Sequence, residues 1–142
     1  MLTNNTLKSE QNNPDYISLI GYCRSILIDS DIEQLQIIFL DTKNQIIDHK
    51  LLEKGNRNSI NIIPDKLSGI ITTLPASAII LVHNHPSDNI KPSKADINTT
   101  KKLYLLCQSY NIQLKDHIII GKTDYFSFAQ SGIIHSIQDD NV

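Results

Sequence analysis

The chain has 142 residues and a mass of 16.0 kDa, which suits one domain with its own core and leaves little room for a second. Apolar residues make up 40% and charged residues 20%; the net charge of −2 and pI of about 6.2 give no electrostatic footprint for gripping nucleic acid. Cys23 and Cys107 stand far apart and outside any Cys-x-x-Cys, which argues against a disulfide framework or a thiolate metal site, and no apolar run approaches the roughly 18 residues of a membrane span.

Residues 1–14 are polar, rich in Asn and Gln, and read as a loose leader without the basic and apolar regions of a signal peptide; the expectation is a cytoplasmic protein. From Tyr16 the apolar positions Leu19, Ile20, Cys23, Ile26 and Leu27 follow helical spacing, and Asp29-Ser30-Asp31 breaks the pattern. Leu35 to Leu40 reads as a strand, Asp41-Thr42-Lys43-Asn44 as a turn, and Gln45 to about Leu52 as the returning strand of a hairpin. Pro64 suits the first position of a helix with Leu67, Ile70, Ile71 and Leu74 as its stripe and Pro75 as its stop. Ala78 to Val82 is a continuous apolar run, the mark of a strand buried on both faces. Pro92-Ser93 opens a long helix to about Tyr110, with Leu103, Leu106, Cys107 and Tyr110 on one face. Ile118 to Ile120 and Tyr125 to Phe128 read as two closing strands. The alternation predicts an α/β fold with a central mixed sheet flanked by helices.

Chemistry concentrates in the stretch from His83 to Asp96. The two histidines lie two apart at the end of the buried strand, so both imidazoles project to one face and can share a metal ion. Asp96 falls in the first turn of the next helix, seven residues before Leu103, and seven residues return a helix to within about 20° of the same direction. Asp96 should therefore point inward, where a carboxylate is costly unless paired or bound to a metal. Two imidazoles and one carboxylate leave the fourth tetrahedral position of zinc open, as in catalytic rather than structural sites. Taken singly, a histidine at a strand end is ordinarily structural, and Ser93-x-x-Asp96 is also a helix capping box. Together, five fixed residues at these spacings arise by chance in such a chain on the order of once in 10⁵.

His-x-His-Pro, a spacer and Ser-x-x-Asp match the JAMM (MPN-plus) metalloprotease signature, and the chain more closely resembles the JAB domain of bacterial RadC-like proteins. The resemblance runs from about Glu33 to Ile134 and includes Phe39 to Asn44, Ile79 to Ser87, Pro92 to Leu103, Asp116 to Gly121 and Ser127-Phe128. It implies a single JAB/MPN-type domain over 15–142, with its catalytic core at about 33–134 and a cytidine-deaminase-like layering. It further implies one zinc ion per chain held by His83, His85 and Asp96, with Glu33 as general base. Ser93 would steady the tetrahedral oxyanion. The implied activity is zinc-dependent hydrolysis of a peptide or isopeptide bond, on a peptide or protein substrate with, by analogy to relatives, a ubiquitin-like or extended C-terminal tail. By position alone, Glu33 would be a solvated residue at a strand start.

Three departures from the family pattern stand out. Asp88 replaces the usual glycine after His-Asn-His-Pro-Ser, Pro64-Asp65-Lys66 replaces Pro-Arg-Glu, and the N-terminal helix-hairpin-helix segment of longer relatives is expected to be missing. Competing readings are a DNA-repair-associated or DNA-binding module, disfavoured by charge, and a catalytically silent interaction domain, disfavoured by the intact ligand set. An HNH nuclease needs residues spread along a ββα-metal motif, and a zinc deaminase needs Pro-Cys-x-x-Cys, which is absent. His117 reads as structural or as a support to the site, His49 and His135 as surface residues, and Lys101-Lys102 as a solvated helix face.

Overall fold

The computed structural model describes residues 14–27, 31–55, 64–87 and 89–140. In chain order its elements are α1 (Pro14–Ile26), β1 (Gln34–Leu40), β2 (Ile46–Lys54), α2 (Pro64–Ile71), β3 (Ala78–Asn84), α3 (Lys94–Ser109), β4 (Gln113–Ile120), β5 (Tyr125–Ser127) and α4 (Ile133–Asp140). The five strands form one mixed sheet in the order β2-β1-β3-β4-β5. β1 runs antiparallel to both β2 and β3, β3 and β4 are parallel, and β5 returns antiparallel to β4. The parallel pair needs a crossover, and α3 supplies it.

Alternation along the central strands sorts the core into two layers. Ile38, Leu40, Ala78, Ile80, Val82, Ile118 and Ile120 face α1, whose Tyr16, Leu19, Ile20, Cys23 and Ile26 are buried at the expected helical spacing. Ile37, Phe39, Ile79, Leu81 and Ile119 face the other way, against Leu67 and Ile71 of α2, Leu103 and Cys107 of α3 and Ile134 of α4. Each such aliphatic side chain contributes about 1.5–3 kcal/mol by leaving water. β3 is buried along its whole length, as its unbroken apolar run requires.

Several elements differ from their sequence-based bounds. The first helix begins at Pro14, which suits an N-terminal turn because proline lacks only an N–H that would be unpaired there. α2 stops at Ile71 rather than Leu74, where the hydroxyls of Thr72 and Thr73 bond to the carbonyls of Ser68 and Ile70. On α3, Leu103 and Cys107 are buried, but Tyr110 caps the helix and is 44% exposed, so the apolar stripe is shorter than expected. The Asp41–Asn44 turn is as read: the Asp41 carboxylate accepts from the N–H groups of Lys43 and Gln45, and Asn44 takes a left-handed φ of 62°. β4 begins at Gln113, well before Ile118, and α4 has no counterpart in the sequence reading. Residues 1–13, Asp29-Ser30 and Asp88 lie outside the described residues, as do the side chains of Pro64, Asp65 and Lys66.

Candidate metal centre

The site sits where β3 ends. His83 faces the α3 side of the sheet, on the same face as Ile79 and Leu81, and is paired across the ladders with Leu35 and Ile119. The His85 N–H donates to the Ile120 carbonyl at 2.9 Å, carrying the chain one step beyond the strand in extended form. The His85 Nδ1 then meets the Asn89 carbonyl at 2.8 Å. That contact makes Nδ1 the protonated nitrogen and leaves a lone pair on Nε2.

Asp96 comes from the first turn of α3, and the sequence there explains its direction. Ser93 is the N-cap: its Oγ accepts from the Asp96 N–H at 3.0 Å, and the Ser93 N–H donates to Asp96 Oδ2 at 2.9 Å. This capping box satisfies two otherwise orphaned donors and turns the carboxylate toward β3. His83 Nδ1 lies 3.3 Å from Asp96 Oδ1, and His85 Nε2 lies 3.3 Å from Asp96 Oδ2. The two imidazole rings meet edge to face, 4.8 Å between centroids. One ligand atom from each of His83, His85 and Asp96 falls within 4.8 Å of the others, a spacing that could hold a metal ion.

Burial sharpens the electrostatics. Asp96 is 5% exposed. Its burial works to raise its pKa, yet the His85 hydrogen bond, the Ser93 N–H and the neighbouring His83 hold it well below the usual carboxylate range. Reciprocally, the hydrogen bond to Asp96 raises His85, outweighing the effect of its own burial. Asp96 thus stays ionised. His83 Nδ1 is buried and makes no hydrogen bond although Asp96 stands beside it. A buried nitrogen left in this way is costly, and a shared cation would satisfy it. Two imidazole nitrogens and one carboxylate oxygen are a donor set that fits zinc with an open position.

Glu33 stands at the entry to β1, and its Oε1 lies 3.0 Å from His83 Nε2. The structure thus brings together the four residues Glu33, His83, His85 and Asp96, with Ser93 at the edge of the group.

Behind them is a pair that spacing did not reveal. The Thr100 hydroxyl donates to the Asp96 backbone carbonyl at 2.7 Å and meets His117 Nδ1 at 2.6 Å. The hydroxyl proton is used on Asp96, so His117 Nδ1–H must be the donor of the second bond. His117 is fully buried and stacked on Phe128 at 4.3 Å; burial above all, then the charge of His83, lowers its pKa to about 3. Its place against Thr100, behind Asp96, fits the structural or supporting reading rather than ligation; Thr100 follows Asp96 by one helical turn, but its partner on β4 leaves no local trace. His49 is not a plain surface residue, since its Nδ1 lies 3.1 Å from Gln36 Oε1 and its ring packs on Tyr22. His135 and Lys101-Lys102 are exposed as read.

The family model for the RadC-like JAB domain matches residues 14–133. The chain belongs to that family. It is 34% identical over 117 residues to a UPF0758 protein of Ruegeria pomeroyi, and 36% identical over 116 residues to one of Fusobacterium nucleatum. Each alignment covers 82% of this chain but only 52% and 50% of the respective relatives, so this RadC-like chain spans about half their length. Neither relative's name states an activity. The five-stranded mixed sheet with helices on both faces is consistent with a JAB/MPN fold. Among the described residues, no helix is long and apolar enough to cross a membrane.

Proposed function

We propose that this RadC-like domain is a zinc-dependent hydrolase of the JAMM type that cleaves a peptide or isopeptide bond. The observation that carries the reading is the convergence of a buried, ionised Asp96 with two imidazoles, next to a second carboxylate from the entry to β1. A structural metal site would close its fourth position with a protein ligand. Here the cluster comprises three residues, and the next carboxylate, Glu33, lies 3.0 Å from His83 Nε2, where the reading assigns it to the proton rather than to the metal.

His83, His85 and Asp96 would hold one zinc ion per chain. When bound, zinc supplies Lewis acidity, polarising a carbonyl and making water acidic near neutral pH. Glu33 takes the proton of the attacking water on a carboxylate oxygen and returns it to the leaving amine, the task of a general base that becomes a general acid. Ser93 Oγ accepts from the Asp96 N–H, so its own proton remains available to donate to the substrate carbonyl oxygen as negative charge develops there. The substrate is a peptide or protein, for which a ubiquitin-like or extended C-terminal tail is suited.

The test is zinc-loaded protein incubated with a mixed pool of peptides and folded proteins, with newly formed amino termini read by mass spectrometry. Wild type should generate new termini, and Glu33→Gln should generate them roughly 10²–10⁴-fold more slowly. Equal cleavage by Glu33→Gln would overturn the assignment of the base. No cleavage by zinc-loaded wild type would overturn the hydrolase reading.

A further inference from the structure

The middle residue of His83-Asn84-His85 has no part in holding the metal. By strand alternation Asn84 faces away from the histidines, toward the α1 side of the sheet, and it is 2% exposed. A primary amide buried at the end of an apolar strand must find partners for both its carbonyl and its NH₂.

Those partners lie on either side of Glu33. The β1–β3 ladder ends with the pair Leu35 and His83. One residue further, the Gln34 N–H donates to Asn84 Oδ1 at 2.6 Å, and Asn84 Nδ2 donates to the Ile32 carbonyl at 3.0 Å. The side-chain amide therefore stands in for a peptide unit and extends the sheet by one more step. Its two bonds grip the residues immediately before and after Glu33. From the opposite edge the Gly55 N–H donates to the Glu33 carbonyl at 2.9 Å, where Gly55 adopts φ of 101°, a conformation open to glycine. The backbone around Glu33 is held from β3 on one side and from the end of β2 on the other, and its carboxylate is left to reach His83.

We propose that Asn84 is a positioning residue for Glu33: it couples the strand that carries both histidines to the segment that carries the base. The proposal rests on the hydrolase reading for its catalytic consequence but not for its geometry. It requires that loss of the Asn84 amide leave the metal ligands in place, because they lie on the other face of β3 and on α3. It also requires that the loss act on turnover only through Glu33. A misplacement on the order of 1 Å at a reacting group can cost about 10²-fold in rate.

The experiment compares wild type, Asn84→Ala, Glu33→Gln and the double variant. Zinc affinity comes from competition with a chromophoric chelator, and kcat and KM from a cleaved peptide. Amide exchange of Gln34 is followed by NMR. Asn84→Ala should bind zinc within about threefold of wild type and keep KM, while kcat falls about 10- to 100-fold. The same substitution in the Glu33→Gln background should cost nothing further, because the group it positions is gone. Gln34 should exchange faster in Asn84→Ala. An unchanged kcat, an equal loss in both backgrounds, or a Gln34 amide still protected would each overturn the proposal. If wild type cleaves nothing, the hydrolase reading fails and Gln34 exchange alone decides whether Asn84 holds the segment. If Asn84→Ala does not fold, Asn84→Asp keeps the acceptor for Gln34, so that amide stays protected, and replaces the donor to Ile32 with a repelling oxygen; a fall in kcat that vanishes in the Glu33→Gln background is then the expected result, and an unchanged kcat the overturning one.

Discussion

At the residue scale, Ser93 shows how one side chain serves structure and site together. Its hydroxyl caps α3 by accepting from the Asp96 N–H, while its backbone N–H steadies the Asp96 carboxylate. Only the first of these bonds is lost on truncation. Ser93→Ala is expected to destabilise the fold by about 1 kcal/mol, the usual cost of losing an N-cap. Bound zinc should stay near the wild-type level, since the backbone bond to Asp96 survives, and turnover should fall. Urea unfolding, metal content and kcat measured on one preparation separate these effects; loss of zinc would show that the hydroxyl itself holds Asp96 in place. Residue by residue, legibility followed sequence distance. His83, His85 and Asp96 could be gathered from spacing because one strand, one turn and one helical turn connect them. Asn84 and Thr100 could not, because their partners Ile32 and Gln34 lie just before β1 and at its start, and His117 on β4, and the intervening loops leave no periodic trace. Glu33 was reached through family resemblance, and the geometry now supplies a physical reason to consider it.

At the scale of elements, β4 carries a feature that the pattern of apolar residues conceals. The β3–β4 register passes from Ile79 paired with Leu114 to Ile80 paired with Asp116, so Lys115 is an extra residue in the ladder. The irregularity puts Asp116 on the α1 face, although Leu114 packs on the other, and sends His117 toward Thr100 and the site. There the Asp116 carboxylate accepts from the hydroxyls of Tyr16 and Ser127 and from the amides of His117 and Ala129, tying α1, β4 and β5 together. Arg24 adds a second tie between α1 and the β4–β5 turn through the Gly121 carbonyl at 2.8 Å. α4 escaped the sequence reading because it is short and offers only Ile134 and Ile137 as buried positions. By contrast, α1 and β3 were plain, their apolar periods being complete.

The Asp116 tie has a pH dependence. Burial pushes its carboxyl up to about 6, against the pull of the Ser127, Tyr16, Ala129 and His117 hydrogen bonds. An aspartate in an unfolded chain titrates near about 3.9, so between the two values the folded protein binds more protons than the unfolded one. Stability contributed by this group is therefore present at the acid end of that window and falls as pH rises through it. His117, kept neutral by burial down to about 3, pulls the opposite way over an overlapping range, so the contrast with a variant isolates Asp116. Asp116→Asn can place its carbonyl toward the two amides and its NH₂ toward the two hydroxyls. Its urea midpoint, relative to wild type, should rise as pH increases from about 4 to about 6. A constant difference between the two proteins would show that Asp116 does not titrate in this range.

For the whole molecule, two layers of helices clamp a sheet whose central strand is buried on both faces, and the candidate centre lies at the end of that strand. This placement explains how a small chain can hold buried charge: β3 fixes the histidines, α3 delivers Asp96 with its cap, and β1 brings Glu33 alongside. Fold class followed from the alternation of strand and helix patterns, whereas the strand order depended on pairings that no local pattern specifies. The hydrolase proposal stands or falls on His83, His85 and Asp96 binding zinc while Glu33 does not. The most direct measurement is metal content of protein purified without added zinc, in wild type, His85→Ala and Glu33→Gln. About one zinc per chain is expected in wild type and in Glu33→Gln, and little in His85→Ala. Wild type that neither retains zinc nor takes it up on titration would contradict it.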